Sequence, residues 1–370
     1  MKVRKRTTAA FAVAIAAIVA ITALAGVGSA SPQQQPILAS VISDVGKFND
    51  KSFNQSQLEG LLRAKKVLGV RALPLQSNSD ADYIPNLTTA VRRGASAIVC
   101  AGFLMATDCA KIAARSKDRE FAITDYPVQI PPFSNAKGKL LVKNVTGLTY
   151  AAHQSGCLVG HMAALMTKRG GGTQVIGAVA GLKIPPVDIW LAGYRFCAKR
   201  ANKGIKVLIG YSQDFVASDK CKAVAESQID QGAKVLFQVA GGCGLGTLKA
   251  ADEAGIWGIG VDKDQYKDAK RVMTSGVKRV DRGVFNFIKA VTTGAPLGEG
   301  NLNFDLENGG MDIGRINPAV PKSIVASTLK LSSSSSTAKS SLRPRSDSLA
   351  LRRGADAGPP LVSLCTGRES

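Results

Sequence analysis

Residues 37–54 read ILASVISDVGKFNDKSFN: an apolar run, an acidic residue at its end, a polar turn, and Phe53 at the start of an amphipathic segment. The apolar run predicts a buried strand and the amphipathic segment predicts a helix. Open parallel sheets bind their ligands outside the carboxyl ends of the strands. The turn, which contains Asn49 and Asp50, is therefore a candidate binding turn. Capping of the helix by Asp50 or Ser52 is the alternative explanation for one of these polar residues.

The same alternation of apolar runs and helical segments continues along the chain. Because buried strands of parallel sheets read as nearly continuous apolar runs, the alternation predicts an α/β protein built of βα units. The predicted strands begin at Ile37, Arg71, Ala97, Glu120, Gln174, Ile205, Lys234 and Trp257. These are more strands than we expect in a single sheet. The pattern pauses over residues 137–150. We predict two doubly wound parallel-sheet lobes, residues 31–150 and 151–262, with residues 263–331 returning to complete the lobes and the hinge.

Both ends of the chain depart from this pattern. Residues 2–6 are basic, residues 9–27 are apolar and residues 28–30 are small, so residues 1–30 are predicted to be a signal peptide. An uncleaved membrane anchor is the alternative, since the apolar segment approaches the length of a bilayer span. Residues 332–370 are rich in Ser, Arg, Pro and Gly and are predicted to be disordered or to result from a frameshift. A natural Ser-rich tail is the competing interpretation.

The composition narrows the classes of partner. The 370 residues include 48 Lys and Arg against 27 Asp and Glu, a net charge of +21, part of which belongs to the two ends. The remaining excess forms no basic stripe interleaved with aromatic residues, so nucleic acid is not an expected partner. A positive surface would instead favour proximity to anionic polymers of the cell envelope.

Cysteine and histidine give little sign of chemistry. The seven cysteines permit up to three disulfides in an exported chain and leave Cys365 over, but their spacing does not reveal the connectivity. Paired C-x-x-C units of a structural zinc site are absent. His153 and His161 lie in no recognisable nucleophile turn, so neither an enzyme activity nor a metal site nor a cofactor is expected.

Four further strand ends resemble the first turn. AIVCAG runs into Phe103, EFAITD ends at Asp125, KVLFQVAG runs into the glycine-rich residues 241–246, and WGIGVD ends at Asp262. The glycine run contains G-x-G-x-G, but it follows the seventh strand and not the first, which argues against a dinucleotide site. We interpret these glycines as allowing the backbone to approach a ligand closely.

Three segments carry a resemblance to a known family: DVGKFNDKSFNQSQLEGL (residues 44–61), FQVAGGCGLGTLKAADEAGIWGIGVDKDQ (237–265) and TSGVKRVDRGVF (274–285). They resemble the basic membrane protein family, the nucleoside-binding proteins of ABC importers. The resemblance runs from about Ile37 to Ile324. It implies a type I periplasmic-binding-protein fold, in which two α/β lobes joined by a hinge close on a ligand between them.

The resemblance also implies which residues hold the ligand. Phe53 and Phe215 match the two aromatics that sandwich a base, Asp125 matches a carboxylate that accepts from purine ring nitrogens, and Asn49 and Asp50 lie in the binding turn. The residues expected at the ribose hydroxyls are Gly241, Gly242, Asp262 and Lys278. Stacking of about 1 to 3 kcal/mol per base and carboxylate acceptors suit a nucleoside. The simpler interpretations are a core position for Phe53, a solvated Lys278, and turn caps for the two aspartates.

We therefore expect an exported, monomeric solute-binding protein that captures a nucleoside with a purine base and delivers it to an ABC permease. A ligand-sensing module of the same fold and an exported nucleoside-processing enzyme are the alternatives. The family is commonly lipid-anchored through a cysteine after a Leu-Ala-Gly sequence. Here Leu24-Ala25-Gly26 is followed by Val27, so lipid attachment is not expected there.

Overall fold

The computed structural model describes residues 36–295, 297 and 300–340 of the chain. Within these residues, strands and helices alternate. The strands are β1 (Leu38–Ile42), β2 (Arg71–Leu75), β3 (Ala95–Cys100), β4 (Glu120–Thr124), β5 (Val145–Tyr150), β6 (Val175–Ala180), β7 (Lys206–Tyr211), β8 (Val235–Val239), β9 (Trp257–Asp262), β10 (Val272–Lys278), β11 (Asn301–Phe304) and β12 (Met311–Ile313). The α-helices are α1 (Phe53–Leu68), α2 (Tyr83–Arg92), α3 (Ala106–Arg115), α4 (Ala152–Gly170), α5 (Pro185–Ala201), α6 (Ser218–Asp230), α7 (Gly244–Glu253), α8 (Val280–Thr293) and α9 (Lys322–Ser340).

The first lobe is built on a parallel sheet with the strand order β11-β5-β4-β3-β1-β2. All five residues of β1 are buried inside this sheet, which explains its continuous apolar run. Alternate side chains point to opposite faces: Val41 packs in the cluster that contains Leu61 of α1, and Ile42 in the cluster that contains Tyr83 of α2. Helices therefore cover both faces of the sheet.

The second lobe repeats this architecture with the strand order β12-β10-β9-β8-β6-β7. Its strands are parallel except for β12, which pairs with β10 in the antiparallel sense at the edge. Phe237 of β8 packs against Trp190 and Tyr194 of α5, with ring centroids 6.0 and 5.1 Å away. The buried aromatic rings thus fix α5 against the centre of this sheet.

The chain passes from one lobe to the other three times within the described residues. Tyr150 ends β5 in the first sheet, and α4 and β6 follow in the second lobe. After Lys278 the chain returns as α8, where the Asp281 amide donates to Ser56 Oγ of α1 at 3.1 Å. After Phe304 it enters the second sheet as β12. Residues after Lys278 supply one strand to each sheet, β11 to the first and β12 to the second.

Four strands differ from the sequence expectation. The sequences of β5 and β10, VTGLTY and VMTSGVK, interrupt apolar residues with Thr, Ser and Gly, so neither reads as a buried strand. Hydrogen bonds allow these hydroxyls to be buried, as when Thr274 Oγ1 donates to the Gly314 carbonyl at 3.0 Å. Strands β11 and β12 have four and three residues at the sheet edges, too few to show a period.

The C-terminal helix is longer than the sequence predicts. It extends to Ser340, whereas the sequence analysis places disorder from residue 332. Serine costs a helix less than glycine or proline, so a serine run can continue one. The predicted signal peptide and residues 341–370 lie outside the described residues. Among the helices that the structure describes, none combines the length and apolar character of a membrane span.

In the described residues three disulfides tie neighbouring elements together, one in the first lobe and two in the second. They join Cys100 to Cys109, Cys157 to Cys197, and Cys221 to Cys243. The first and third attach a strand-end segment beside the interlobe cleft to the adjacent helix, and the second joins α4 to α5. Three bridges agree with the cysteine count, and the structure supplies the connectivity that the sequence left open.

Candidate ligand-binding site

A cavity lies between the lobes, at the carboxyl ends of the strands of both sheets. It holds about 570 Å³ of space free of atoms, including part that is open to solvent. Residues of both lobes line it. Seven of the nine predicted site residues are among them: Asp50, Phe53, Asp125, Phe215, Gly241, Asp262 and Lys278. The topology thus brings together residues that lie far apart in the sequence.

The other two predicted residues lie outside the cavity lining. Asn49 is exposed on the turn after β1. Gly242 faces the opposite lobe, where a Cβ added to it would lie 3.6 Å from the Cα of Asp50. Gly242 thus marks a place where the two backbones approach each other, and a ligand role for either residue stays a prediction.

Lys278 is the positive centre of the cavity. Its ammonium lies 2.6 Å from Asp125 Oδ2 and 3.5 Å from Asp262 Oδ1, and its side chain is 4% exposed. Burial alone would lower the pKa of Lys278, but the charges of Asp125 and Asp262 outweigh this effect and raise it. The lysine therefore stays an ammonium and links the first lobe, through Asp125, to the second.

The two partners of Lys278 share an uncommon backbone conformation. Asp125 directly follows β4, Asp262 is the last residue of β9, and their φ values of 60° and 62° lie in the left-handed region. Asp262 Oδ2 accepts from Ser52 Oγ at 2.7 Å, while its buried Oδ1 accepts no hydrogen bond from the described residues. Oδ1 has the Lys278 ammonium at 3.5 Å but no hydrogen bond within the described residues, so a ligand hydroxyl or N–H beside Asp262 would be favoured.

Asp50 is occupied with the helix that follows it. Its carboxylate accepts from the amides of Ser52, Asn54 and Gln55 at 2.8 to 3.0 Å, and from Asn54 Nδ2 at 3.0 Å. These donors include amides of the first turn of α1, which have no partner within the helix. Capping therefore accounts for the position of Asp50 at the cavity wall, as the simpler interpretation of the sequence proposed.

Asp44, at the end of β1, is a fourth carboxylate at the cavity. Its Oδ1 accepts from the Gly46 amide and from Asn54 Nδ2, both at 2.7 Å. Burial raises the pKa of Asp44 from 3.8 to about 7, against the opposing effect of these hydrogen bonds. In the described residues, no group of three or more His, Cys, Asp or Glu is arranged to hold a metal ion.

Replacing Asp44 by asparagine is expected to remove part of the pH dependence of stability. Because the pKa is higher in the folded protein, the unfolded chain releases this proton first, and the free energy of unfolding falls between about pH 4 and 7. Asparagine keeps an acceptor and cannot titrate. Urea unfolding measures the free energy of unfolding at pH 4.5 and at pH 8. Between these two pH values it should fall by up to a few kcal/mol more for wild type than for Asp44→Asn, at about 1.36 kcal/mol per pKa unit. Parallel pH profiles would contradict the raised pKa.

The two predicted aromatics reach the cavity from opposite lobes. Phe53 lies at the first turn of α1, with the Lys278 ammonium 4.7 Å from its ring centroid. A Cβ at Gly102 would come within 3.1 Å of the Phe53 ring, and one at Gly181 within 2.3 Å of the Phe215 ring. Glycine at both positions gives the rings room against the backbone of their own lobes, with the cavity beside them.

Contacts at the rim hold the lobes together in this closed arrangement. Lys51 Nζ lies 2.9 Å from Asp268 Oδ1, and Lys263 pairs with Glu59 of α1. Gln265 Nε2 also donates to the Lys51 carbonyl at 3.2 Å. Each ion pair has one partner in each lobe.

Removal of the rim ion pairs should weaken ligand binding in a salt-dependent way. Exposed ion pairs contribute about 0.2 to 1 kcal/mol each, so Glu59→Gln with Asp268→Asn should reduce affinity roughly two- to tenfold at low ionic strength. The loss should disappear near 0.5 M salt, where such pairs are screened. Glu253→Gln is the matched control, because it removes the Lys222 ion pair within the second lobe. A loss that persists in high salt would contradict this role.

Some lining residues were missed by the sequence reasoning. Asp44 lies two residues beyond β1, and Trp190 lies within α5, the helix that follows β6. The strand-end rule that pointed to Asp125 and Asp262 would have included Asp44. It would not have found Trp190, because this residue lies inside a helix. Phe103, at the end of another apolar run, also lines the cavity and was not among the predicted site residues.

Over most of its length the chain is similar to one protein family. The family model for PnrA-like ABC transporter substrate-binding proteins, Bmp, matches residues 37–342. The ABC transporter nucleoside-binding protein BmpA of Lactococcus lactis subsp. cremoris is 30% identical over 339 residues, covering 84% of this chain and 92% of that protein. The CD4+ T-cell-stimulating antigen of Listeria monocytogenes is 28% identical over 354 residues, covering 87% and 94%.

A solved structure shares the fold. The solute-binding protein of an ABC transporter system from Aeropyrum pernix K1 superimposes with a TM-score of 0.72 at 24% identity, covering 82% of this chain and 92% of that one. The predicted type I fold of two α/β lobes is thereby confirmed. The resemblance of the three sequence segments is confirmed as well: the chain belongs to the Bmp family of PnrA-like ABC transporter substrate-binding proteins.

Proposed function

We propose that this protein captures a purine nucleoside between its lobes outside the cytoplasm and delivers it to an ABC importer permease. The observation that carries the proposal is that Phe53 and Phe215, from different lobes, line one cavity together with four aspartates and Lys278. Two aromatic faces suit a planar base, and carboxylates suit the hydroxyls of a ribose. The name of the Lactococcus relative, a nucleoside-binding protein, supports this ligand class.

The charges of the cavity favour a neutral ligand that is rich in hydrogen-bond donors. Asp44 and Asp125 belong to the lobe of Phe53 and are placed to accept from the N–H groups of a base. Asp262, Lys278 and the backbone beside Gly241 belong to the other lobe and would hold the ribose. This assignment rests on which residues line the cavity and on Asp262 Oδ1, a buried oxygen that accepts no hydrogen bond from the described residues.

Transport is favoured over the two alternatives. A sensor of the same fold would bind its ligand in the same way, so a neighbouring permease gene is the observation that separates the two. An exported nucleoside-processing enzyme would hydrolyse what it binds, and incubation with the ligand would show a product. We further propose that the protein acts as a monomer without a cofactor, and that it is exported by residues 1–30 without lipid attachment at Val27.

The ligand carried by the purified protein tests the proposal. Native mass spectrometry of protein purified without denaturation should show an added mass, which is released on unfolding and identified by fragmentation as a purine nucleoside. A sugar, an amino acid or a nucleotide in its place would contradict the proposed ligand class.

Removing the Asp262 carboxylate should weaken nucleoside binding. A hydrogen bond to a charged group contributes about 1.5 to 3 kcal/mol, so Asp262→Ala should reduce affinity by that amount with little change in thermal stability. Ser52→Ala is the matched control, because it removes the hydroxyl that Asp262 binds and keeps the carboxylate. Wild type should also prefer the ribonucleoside to its 2′-deoxy analogue, and Asp262→Ala should lose this preference. Unchanged affinity measured by calorimetry would remove Asp262 from the site.

A further inference from the structure

The second lobe carries an unbalanced positive charge at the end that lies away from the cavity. Between residues 151 and 213, all in this lobe, the sequence contains eight Lys and Arg but one acidic residue, Asp188. Asp188 lies in the first turn of α5, bound to Lys183 and Tyr211. The excess is therefore concentrated towards the other end of α4 and α5.

Six exposed cations form this surface, which we call the basic end: Lys168, Arg169, Lys199, Arg200, Lys203 and Lys206. The fold brings them together. The Cys157–Cys197 disulfide joins the two helices, and after they end Asn202 Nδ2 donates to Gln174 Oε1 at 2.7 Å. The Lys206 amide, at the start of β7, donates to the Gln174 carbonyl at 2.8 Å.

In the part of the chain that the structure describes, the cations of the basic end are not neutralised by acidic side chains. Within residues 36–295, 297 and 300–340, none of the six forms an ion pair. Phe196 of α5 lies among them with a 36% exposed side chain, and the Arg200 guanidinium carbon is 5.7 Å from the centroid of its ring. The surface therefore combines long basic side chains with an accessible aromatic ring.

We propose that the basic end docks on a membrane surface that carries anionic phospholipids. Lys and Arg near such a surface are attracted to the lipid phosphates, and aromatic rings are favoured at the level of the headgroups. The exposed Phe196 ring favours a bilayer over a soluble polyanion, because a soluble polyanion has no membrane–water interface in which an apolar ring could lie. Because helix C-termini and strand N-termini form the basic end, docking there leaves the cleft free for ligand and permease.

Vesicle sedimentation with the full-length chain tests the proposal. Because every variant is full-length, residues 1–35 contribute equally to each. Binding to vesicles of phosphatidylcholine with about 30% phosphatidylglycerol is compared with binding to vesicles of pure phosphatidylcholine. The patch variant carries Arg169→Gln, Lys199→Gln, Arg200→Gln and Lys203→Gln. The matched control removes two lysines and two arginines from the first lobe, which are also exposed and without an ion pair in the described residues: Lys65→Gln, Lys66→Gln, Arg92→Gln and Arg93→Gln.

The patch variant should lose on the order of 100-fold in binding to the anionic vesicles, since each basic residue near the surface contributes to the attraction. The control should lose less than fivefold, and nucleoside binding should be unchanged in both. Phe196→Ala should weaken vesicle binding several-fold. Equal losses in the two quadruple variants, or no preference of wild type for anionic vesicles, would overturn the proposal. The proposal would also be overturned if wild type bound soluble polyphosphate more tightly than anionic vesicles and Phe196→Ala had no effect. That result would assign the surface to a soluble polyanion.

Discussion

Replacing Lys278 by methionine should reduce ligand affinity by two to nearly four orders of magnitude, about 3 to 5 kcal/mol. In the closed arrangement Asp125 and Asp262 are buried against the Lys278 ammonium. Methionine fills a similar volume without the charge, so closure would bury the carboxylates without a cation. In the open protein, water can hydrate them. We therefore expect the loss in affinity and in closure, with a smaller change in the thermal stability of the lobes.

Calorimetry measures the affinity and small-angle scattering measures closure, as a decrease in radius of gyration on ligand addition. Adding Asp125→Asn to Lys278→Met removes one of the uncompensated charges and should restore part of the affinity. If Lys278→Met bound within fivefold of wild type and closed normally, the lysine would not be the bridge between the lobes.

Loss of both aromatic rings should abolish measurable stacking of the base. Stacking of one base on one aromatic side chain contributes about 1 to 3 kcal/mol by alanine substitution, so two such contacts set an upper range of roughly 2 to 6 kcal/mol for Phe53→Ala with Phe215→Ala. The two effects need not add, because both rings contact one base. Calorimetry on the single and double variants measures the coupling between them.

Leucine at each position is the matched control, since it keeps an apolar side chain but removes the aromatic face. We expect Phe53→Leu and Phe215→Leu to show most of the loss seen with alanine. If Phe53→Leu binds like wild type, Phe53 is a packing residue, as in the simpler interpretation of the sequence. If Phe215→Leu binds like wild type, Phe215 is not the aromatic residue of the second lobe that stacks on the base.

The sequence predicts the fold well wherever burial and polarity are local properties. The apolar run of β1 reads as a strand because all its residues are buried, and Phe53 reads as a helix start because the turn before it is polar. Strands β5 and β10 were not predicted, since their Thr and Ser residues are buried through hydrogen bonds that form only in the folded protein. Whether these two segments form strands therefore depends on residues that are distant in the sequence.

The site shows the same division between local and distant information. Asp125 and Asp262 were predicted because each ends a strand, a position that the local sequence reveals. The ion pair of Asp125 with Lys278 joins residues 153 positions apart, and no spacing in a single sequence indicates it. The raised pKa of Asp44 was equally hidden, because it depends on burial beneath the closed cleft.

The position of Asp50 shows why a correct location does not settle a role. The turn was predicted to bind a ligand, and its carboxylate does line the cavity. All four of its hydrogen bonds nevertheless go to the start of α1. Asp50 thus caps the helix on which Phe53 stands three positions later, and its predicted contact with a ligand stays a prediction.

The most direct test of the central claim is calorimetry on protein that has been unfolded, freed of bound ligand and refolded. Four ligands should be titrated: a purine nucleoside, its free base, ribose, and its 5′-monophosphate. The nucleoside should bind with one site per chain and far more tightly than base or ribose, because only it engages both aromatics and Asp262. The monophosphate should bind more weakly, since four aspartates face the cavity with one lysine. Ribose binding as tightly as the nucleoside, or no binding of any purine nucleoside, would contradict the account.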